Sequence, residues 1–162
     1  MRGNQKQVER ALDEVLLLAG GVATRVFLAV ERTTVQGDAA EHLRRYEQAD
    51  GVVELVTVDL AEFSQAIADA DLVVDALLGI GLRQAPRPEI ARVIACITAG
   101  KRPVVAVDLP SGVEADTGHV RGPCIRAALT VTFGLAKVGH IFYPGRSHCG
   151  TLHCGIQLPL FK

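Results

Sequence analysis

The run 103-PVVAVDLPSGVEADTGHVRG-122 starts as an apolar, β-branched segment, then turns at Asp108 into proline, serine, glycine and two further acids. That pattern marks a strand covered on both faces and ended by a shaped loop. A similar pattern lies upstream, where 71-DLVVDALLGIGL-82 carries an apolar run through Asp75 into a glycine-bracketed turn. Between the two, 88-PEIARVIACITA-99 reads as a helix, with Pro88 near its first turn and Gly100 beyond its end. Strands separated by a single helix pair in parallel through a crossover connection. Asp75 and Asp108 should therefore leave neighbouring strands at their carboxyl ends, where open parallel sheets bind ligands.

The same alternation extends in both directions. Apolar residues Val8, Ala11, Leu12, Val15, Leu16 and Ala19 recur at three and four, so 5–19 reads as an amphipathic helix stopped by Gly20 and Gly21. A strand at 24-TRVFLAV-30 follows, then a helix at 39-AAEHLRRYEQA-49 with Asp38 as its cap and acid ahead of base along the helix dipole. Beyond them come a strand at 52-VVELVTV-58, a helix at 60-LAEFSQAIADA-70, and strands at 127-AALTVTF-133 and 151-TLHCGIQL-158. The expected fold class is α/β, a Rossmann-like three-layer sandwich with a mostly parallel sheet.

At 162 residues the chain suits one domain with a substantial core. A net charge of −1 with dispersed basic residues, and few aromatics, argues against nucleic acid as a partner. No apolar run approaches the ~20 residues of a membrane span, and the N-terminal MRGNQKQVERALDEV lacks the pattern of a secretory signal, so a cytoplasmic protein is expected. Cys96, Cys124, Cys149 and Cys154 are too sparse for a disulfide framework and are expected to be free thiols.

Several residues can carry chemistry, each with a plainer alternative. Asp75 and Asp108, with Ser111, can divide cation binding and proton transfer between them, or each can cap the turn that follows it. Gly79 and Gly81 resemble part of a phosphate-cradling turn, although a lone G-x-G is more often an ordinary turn. The tail 148-HCGTLHCG-155 has two His and two Cys. Adjacent residues of an extended strand point to opposite faces, however, which suits partly buried thiols better than a tetrahedral metal site. Lys137, in 133-FGLAKVGHIFYPG-145, can meet a phosphate or be solvated. Glu114 and Asp116 read as solvated or turn-forming acids.

Taken in order, 71-DLVVDALLGIGL-82, 104-VVAVDLPSGVEADTG-118, 130-TVTFGLAKVGH-140 and 143-YPGRSHCG-150 resemble the NAD(P)H-hydrate epimerase family, the YjeF N-terminal domain. The resemblance covers nearly the whole chain and implies one domain over 1–162, without the family's N-terminal helices and first strand. It implies interconversion of the R and S epimers of hydrated NADH or NADPH, usually by a homodimer, with an NAD(P)H-hydrate dehydratase as pathway partner. By resemblance, Asp75 and Ser111, with Gln5, match the positions that hold one potassium ion per subunit. Asn4 and the loop Gly79, Ile80, Gly81, Leu82, Arg83, Gln84 and Ala85 match segments that contact the hydrated nucleotide. Asp108 matches the substrate-binding aspartate and is the expected general acid and base. The pattern departs at its start: Gly3 and Asn4 match a GNNGGDG-type loop, but Gln5 replaces an Asn, and Lys6, Gln7 and Val8 replace two glycines and an aspartate.

Overall fold

The computed structural model describes residues 23–48, 51–56 and 59–155. Each expected strand forms within the described residues: β1 Arg25–Leu28, β2 Val52–Leu55, β3 Val73–Asp75, β4 Val104–Val107, β5 Leu129–Phe133 and β6 Thr151–Gly155. Helices α1 Asp38–Gln48, α2 Ala61–Asp69 and α3 Pro88–Gly100 occupy the expected positions, and a four-residue helix, α4 Val138–Ile141, follows β5. The helix expected over 5–19 lies outside the described residues, as do Asn4 and Gln5.

Among the described residues every strand ladder is parallel. Val73 pairs with Val104 and Asp75 with Ala106 across β3 and β4, and the sheet continues in the order β3-β4-β5-β6. The strands β1 and β2 pair with each other, Arg25 opposite Val52 and Leu28 opposite Leu55. Where the pattern suggests one sheet, the described residues therefore form two, with no ladder between them. Side chains make the junction instead: Phe27, Ala29 and Val56 pack on a core built by α2 and α3, with Phe27 edge-on to Phe63 at 5.1 Å between ring centroids.

Helix α3 supplies most of that core. Ile90, Val93, Ile94 and Ile97 lie at intervals of three and four and are all buried, facing Phe63 and Ile67 of α2. Gly100 is the last residue of α3 rather than the residue beyond it, and the left-handed position falls to Lys101, with φ 53°. The reason is packing. A Cβ on Gly100 would lie 2.3 Å from Cγ2 of Ile67, so glycine there lets the two helices close.

Ile94 has no exposed surface. Its truncation in Ile94→Ala should remove about 2–5 kcal/mol of stability, read from the midpoint and slope of urea unfolding, since a buried cavity adds to the lost transfer energy.

Candidate functional site

Parallel pairing of β3 with β4 puts two acids at one sheet edge, and each finds different partners. Asp75 ends β3 and is 1% exposed. Its Oδ1 accepts the Ser111 hydroxyl at 2.6 Å and the Leu77 N–H at 3.3 Å, while Oδ2 accepts the Ser111 N–H at 2.8 Å. Ser111 Oγ in turn accepts the Leu78 N–H at 2.9 Å, so the loops after β3 and β4 are joined through one hydroxyl. Burial pushes the Asp75 carboxyl above its ordinary pKa, against the opposing effect of the Ser111 bonds. Among the described residues no Lys or Arg side chain pairs with it.

Ser111 reaches Asp75 because of the turn it sits on. Val113 N–H closes on Pro110 O at 3.0 Å, and Gly112 adopts φ 109°. A Cβ at Gly112 would stand 2.7 Å from both Cys124 Cα and Pro123 O, so only glycine serves here. The neighbouring Cys124 thiol is pushed up to about 12 by burial and then by Asp75, which leaves it a protonated packing group.

Asp108 follows β4 in a left-handed conformation, φ 65°. Its own N–H continues the ladder to Val131 O at 2.7 Å, but Leu109 N–H folds back to Val107 O at 2.8 Å, making a three-residue γ-turn centred on a positive φ. That turn is rare and strained for a non-glycine residue. Its effect is to aim the Asp108 carboxylate at β5. Oδ1 accepts the Thr132 hydroxyl at 2.8 Å and the Lys137 ammonium. Lys137 Nζ also donates to Thr132 Oγ1 at 2.7 Å and to Phe133 O at 3.1 Å, so its three N–H bonds all have acceptors. Asp108 and Thr132 are 3% and 0% exposed. The result is a buried carboxylate in direct contact with an ammonium cation.

The expected residues thus divide into two networks at one edge: Asp75 with Ser111, and Asp108 with Lys137 and Thr132. Lys137 neither points into solvent nor stands alone. Its amphipathic surroundings hid this in the sequence, but the alternation of LTVTF did place Thr130 and Thr132 on a single face, and both are fully buried. The loop Gly79–Ala85 stands beside the edge with Ile80, Gly81, Arg83, Gln84 and Ala85 exposed, and neither Gly79 nor Gly81 takes a positive φ. Arg83 reaches Asp116 at 3.7 Å. Of the two readings of Glu114, solvated or turn-forming, the structure has the turn-forming one. Glu114 is buried and accepts Thr117 Oγ1 at 2.5 Å and Arg121 Nε at 2.6 Å, which holds its carboxyl below the usual range and closes the hairpin marked by the Val113–Val120 bridge. The His and Cys residues of the tail diverge: His148 Nδ1 lies 3.0 Å from Ile125 O, Cys149 is buried, and Cys154 is exposed. All four cysteines are free.

Comparison with known proteins joins this geometry to a lineage. The chain is 44% identical over 138 residues to the bifunctional NAD(P)H-hydrate repair enzyme Nnr of Moorella thermoacetica, covering 84% of this chain and 26% of that protein. It is 35% identical over 114 residues to the NAD(P)H-hydrate epimerase of Limosilactobacillus fermentum, covering 70% of this chain and 55% of that one. The chain thus spans about a quarter of the first relative and about half of the second. The crystal structure of yeast Ynu0, YNL200c, superimposes with a TM-score of 0.62 over 98% of this chain and 78% of that one, at 14% identity, which supports the fold alone. The family described as YjeF-related protein N-terminus matches residues 15–139. The chain belongs to that family.

Proposed function

We propose that this chain interconverts the R and S epimers of hydrated NADH and NADPH, as an isomerase domain in nicotinamide cofactor repair. The observation that carries the proposal is the direct contact of Asp108 with Lys137 at the carboxyl edge of a parallel sheet. In the hydrated nicotinamide, the hydroxyl-bearing ring carbon adjoins the ring nitrogen. The nitrogen lone pair can expel hydroxide as the C–O bond breaks, leaving a planar cation. Water then adds to the opposite face and forms the new C–O bond. One proton goes to the departing oxygen and one is released by the incoming water, so the exchange balances. Asp108 is the group proposed to touch the reacting oxygen, and Lys137 stands where it can supply a proton to Oδ1 and recover it.

Nucleotide binding is assigned to the exposed loop Gly79 to Ala85 and to Asn4. Potassium fits Asp75 and Ser111 chemically, because a buried carboxylate without a basic partner and an adjacent hydroxyl are hard oxygen donors beside an uncompensated charge. Gln5 is the third proposed ligand. The ion would supply a positive charge that offsets Asp75 and holds the two loops. A dehydratase is the proposed pathway partner, the bifunctional names of the relatives supporting that assignment. No described helix is long and apolar enough to cross a membrane, and a cytoplasmic location belongs to the same proposal. A homodimer is proposed as well, supported by the exposed apolar side chains of Leu135, Ile141, Phe142 and Tyr143. A second reading, a nucleotide-binding module without turnover, is favoured by Lys6 and Gln7, which align in sequence with glycines of the family's loop.

The two readings separate in one assay. With both epimers of hydrated NADPH, an S-specific dehydratase and potassium, the chain should accelerate loss of the R epimer. Asp108→Asn and Lys137→Met should each lower kcat by roughly 10²–10⁴-fold. Loss of the R epimer at the spontaneous rate would exclude the isomerase reading and leave the binding module.

Asp75 also predicts a pH dependence. Its folded-state pKa is raised above the ordinary 3.8, so the folded chain holds this proton more tightly than the unfolded chain does. The associated stability is present below the ordinary value and is lost as pH rises from there to the raised pKa, by at most about 1.4 kcal/mol per pH unit. Urea unfolding followed as pH rises from about 4 should show a fall in stability in the wild type that is smaller in Asp75→Asn. Potassium should oppose the loss in the wild type alone. Equal slopes for the two proteins would contradict the assignment.

A further inference from the structure

We propose that His140 is the positioning residue of this site, holding the strained turn at Asp108 and the base of Lys137 with the two nitrogens of one neutral ring. Its ring has no exposed surface. Lys137 N–H lies 2.9 Å from His140 Nδ1, and His140 Nε2 lies 2.7 Å from Asp108 O. A backbone N–H can only donate and a carbonyl can only accept, so Nδ1 is bare and Nε2 carries the proton. This tautomer satisfies both ends at once. A protonated imidazolium would set an Nδ1 hydrogen against the Lys137 N–H, and burial moves the ring away from that state by lowering its pKa.

The two backbone groups so joined belong to the two residues whose side chains meet at Asp108 Oδ1. Asp108 is the centre of the positive-φ turn, and its carbonyl direction is part of that turn. Fixing the carbonyl therefore fixes where the carboxylate leaves the backbone. Fixing Lys137 N–H sets the start of the side chain that must reach Oδ1. The ring itself is located from behind: Gly139 N–H donates to Ala115 O at 2.9 Å, and a Cβ on Gly139 would stand 2.6 Å from Glu114 O. The hairpin closed by Glu114 and Arg121 thus seats α4, and α4 delivers His140 inward. Thr132 ties the same two side chains through its hydroxyl, but it reaches neither backbone group.

The inference rests on the isomerase reading for its kinetic consequence and stands apart from it structurally, so the test has two arms. In the kinetic arm, His140→Leu, of similar volume, should retain a cooperative unfolding transition and lose about 10²-fold in kcat, with KM nearly unchanged, because misplacement of the acid and base by about 1 Å has that scale of effect. His140→Gln keeps an N–H near the Asp108 carbonyl and should regain about tenfold of that loss, which a packing role alone would not produce. If Leu fails to fold, the Gln variant against the wild type carries the comparison. Equal kcat for wild type and variants, or Gln no better than Leu, would overturn the proposal. In the spectroscopic arm, nitrogen NMR of the full chain should show His140 as the neutral Nε2–H tautomer. It should also show a slowly exchanging Lys137 ammonium that is lost in His140→Leu. The opposite tautomer, or an ammonium signal indifferent to the substitution, would overturn it even where the wild type has no isomerase activity, an outcome that by itself removes only the function proposed above.

Discussion

Asp108 leaves β4 with a positive φ, and the arrangement of the site follows from that reversal. A strand residue in ordinary extended geometry would continue toward the next ladder position, with Leu109 N–H turned to the β3 side, opposite the Asp108 N–H that bonds β5. Here Leu109 N–H is used within the turn and the chain swings back across the sheet edge into Pro110 and Ser111. The same swing brings Ser111 to Asp75 on one side and the Asp108 carboxylate to Thr132 and Lys137 on the other. Backbone strain of this kind, of order 1–3 kcal/mol, persists only where surrounding bonds over-determine it. Asp108 has such bonds at its N–H and its carbonyl, from β5 and from α4.

The two acids meet burial in different ways. Asp75 is compensated by dipoles alone, two N–H groups and a hydroxyl, and its carboxyl is displaced toward the protonated form. Asp108 is compensated by a full charge, since Lys137 lies in contact with it. A buried ion pair with satisfied hydrogen bonds keeps its geometry, whereas a buried carboxylate held by dipoles alone retains a demand for positive charge. That contrast underlies the division of labour proposed for them, with a cation at Asp75 and proton transfer at Asp108.

Much of this is legible in the amino-acid sequence. Alternating apolar runs and amphipathic stretches set the elements, because a strand or helix must bury one face and the spacing of apolar residues shows which. Pro88 announced the start of α3. Gly100 reads locally as a stop, whereas its role is a contact with Ile67, two elements away, and a close approach leaves no local signature. Helix α4 is too short for any period to show. Glu114 reads locally as one acid among several in a polar loop, and only Arg121 and Thr117 folding onto it explain its burial.

The amino-acid sequence by itself determined the alternation of strands and helices, the parallel pairing that brings Asp75 and Asp108 to one edge, and the motifs that place the chain in its family. These depend on periodicity and on short-range rules of chain direction. Tertiary structure alone decided that the described strands form two sheets rather than one, that Lys137 turns back onto Asp108, and that His140 links their backbones. Those outcomes depend on distances between residues far apart in sequence, and on whether a buried polar group finds its partner, which no local pattern encodes.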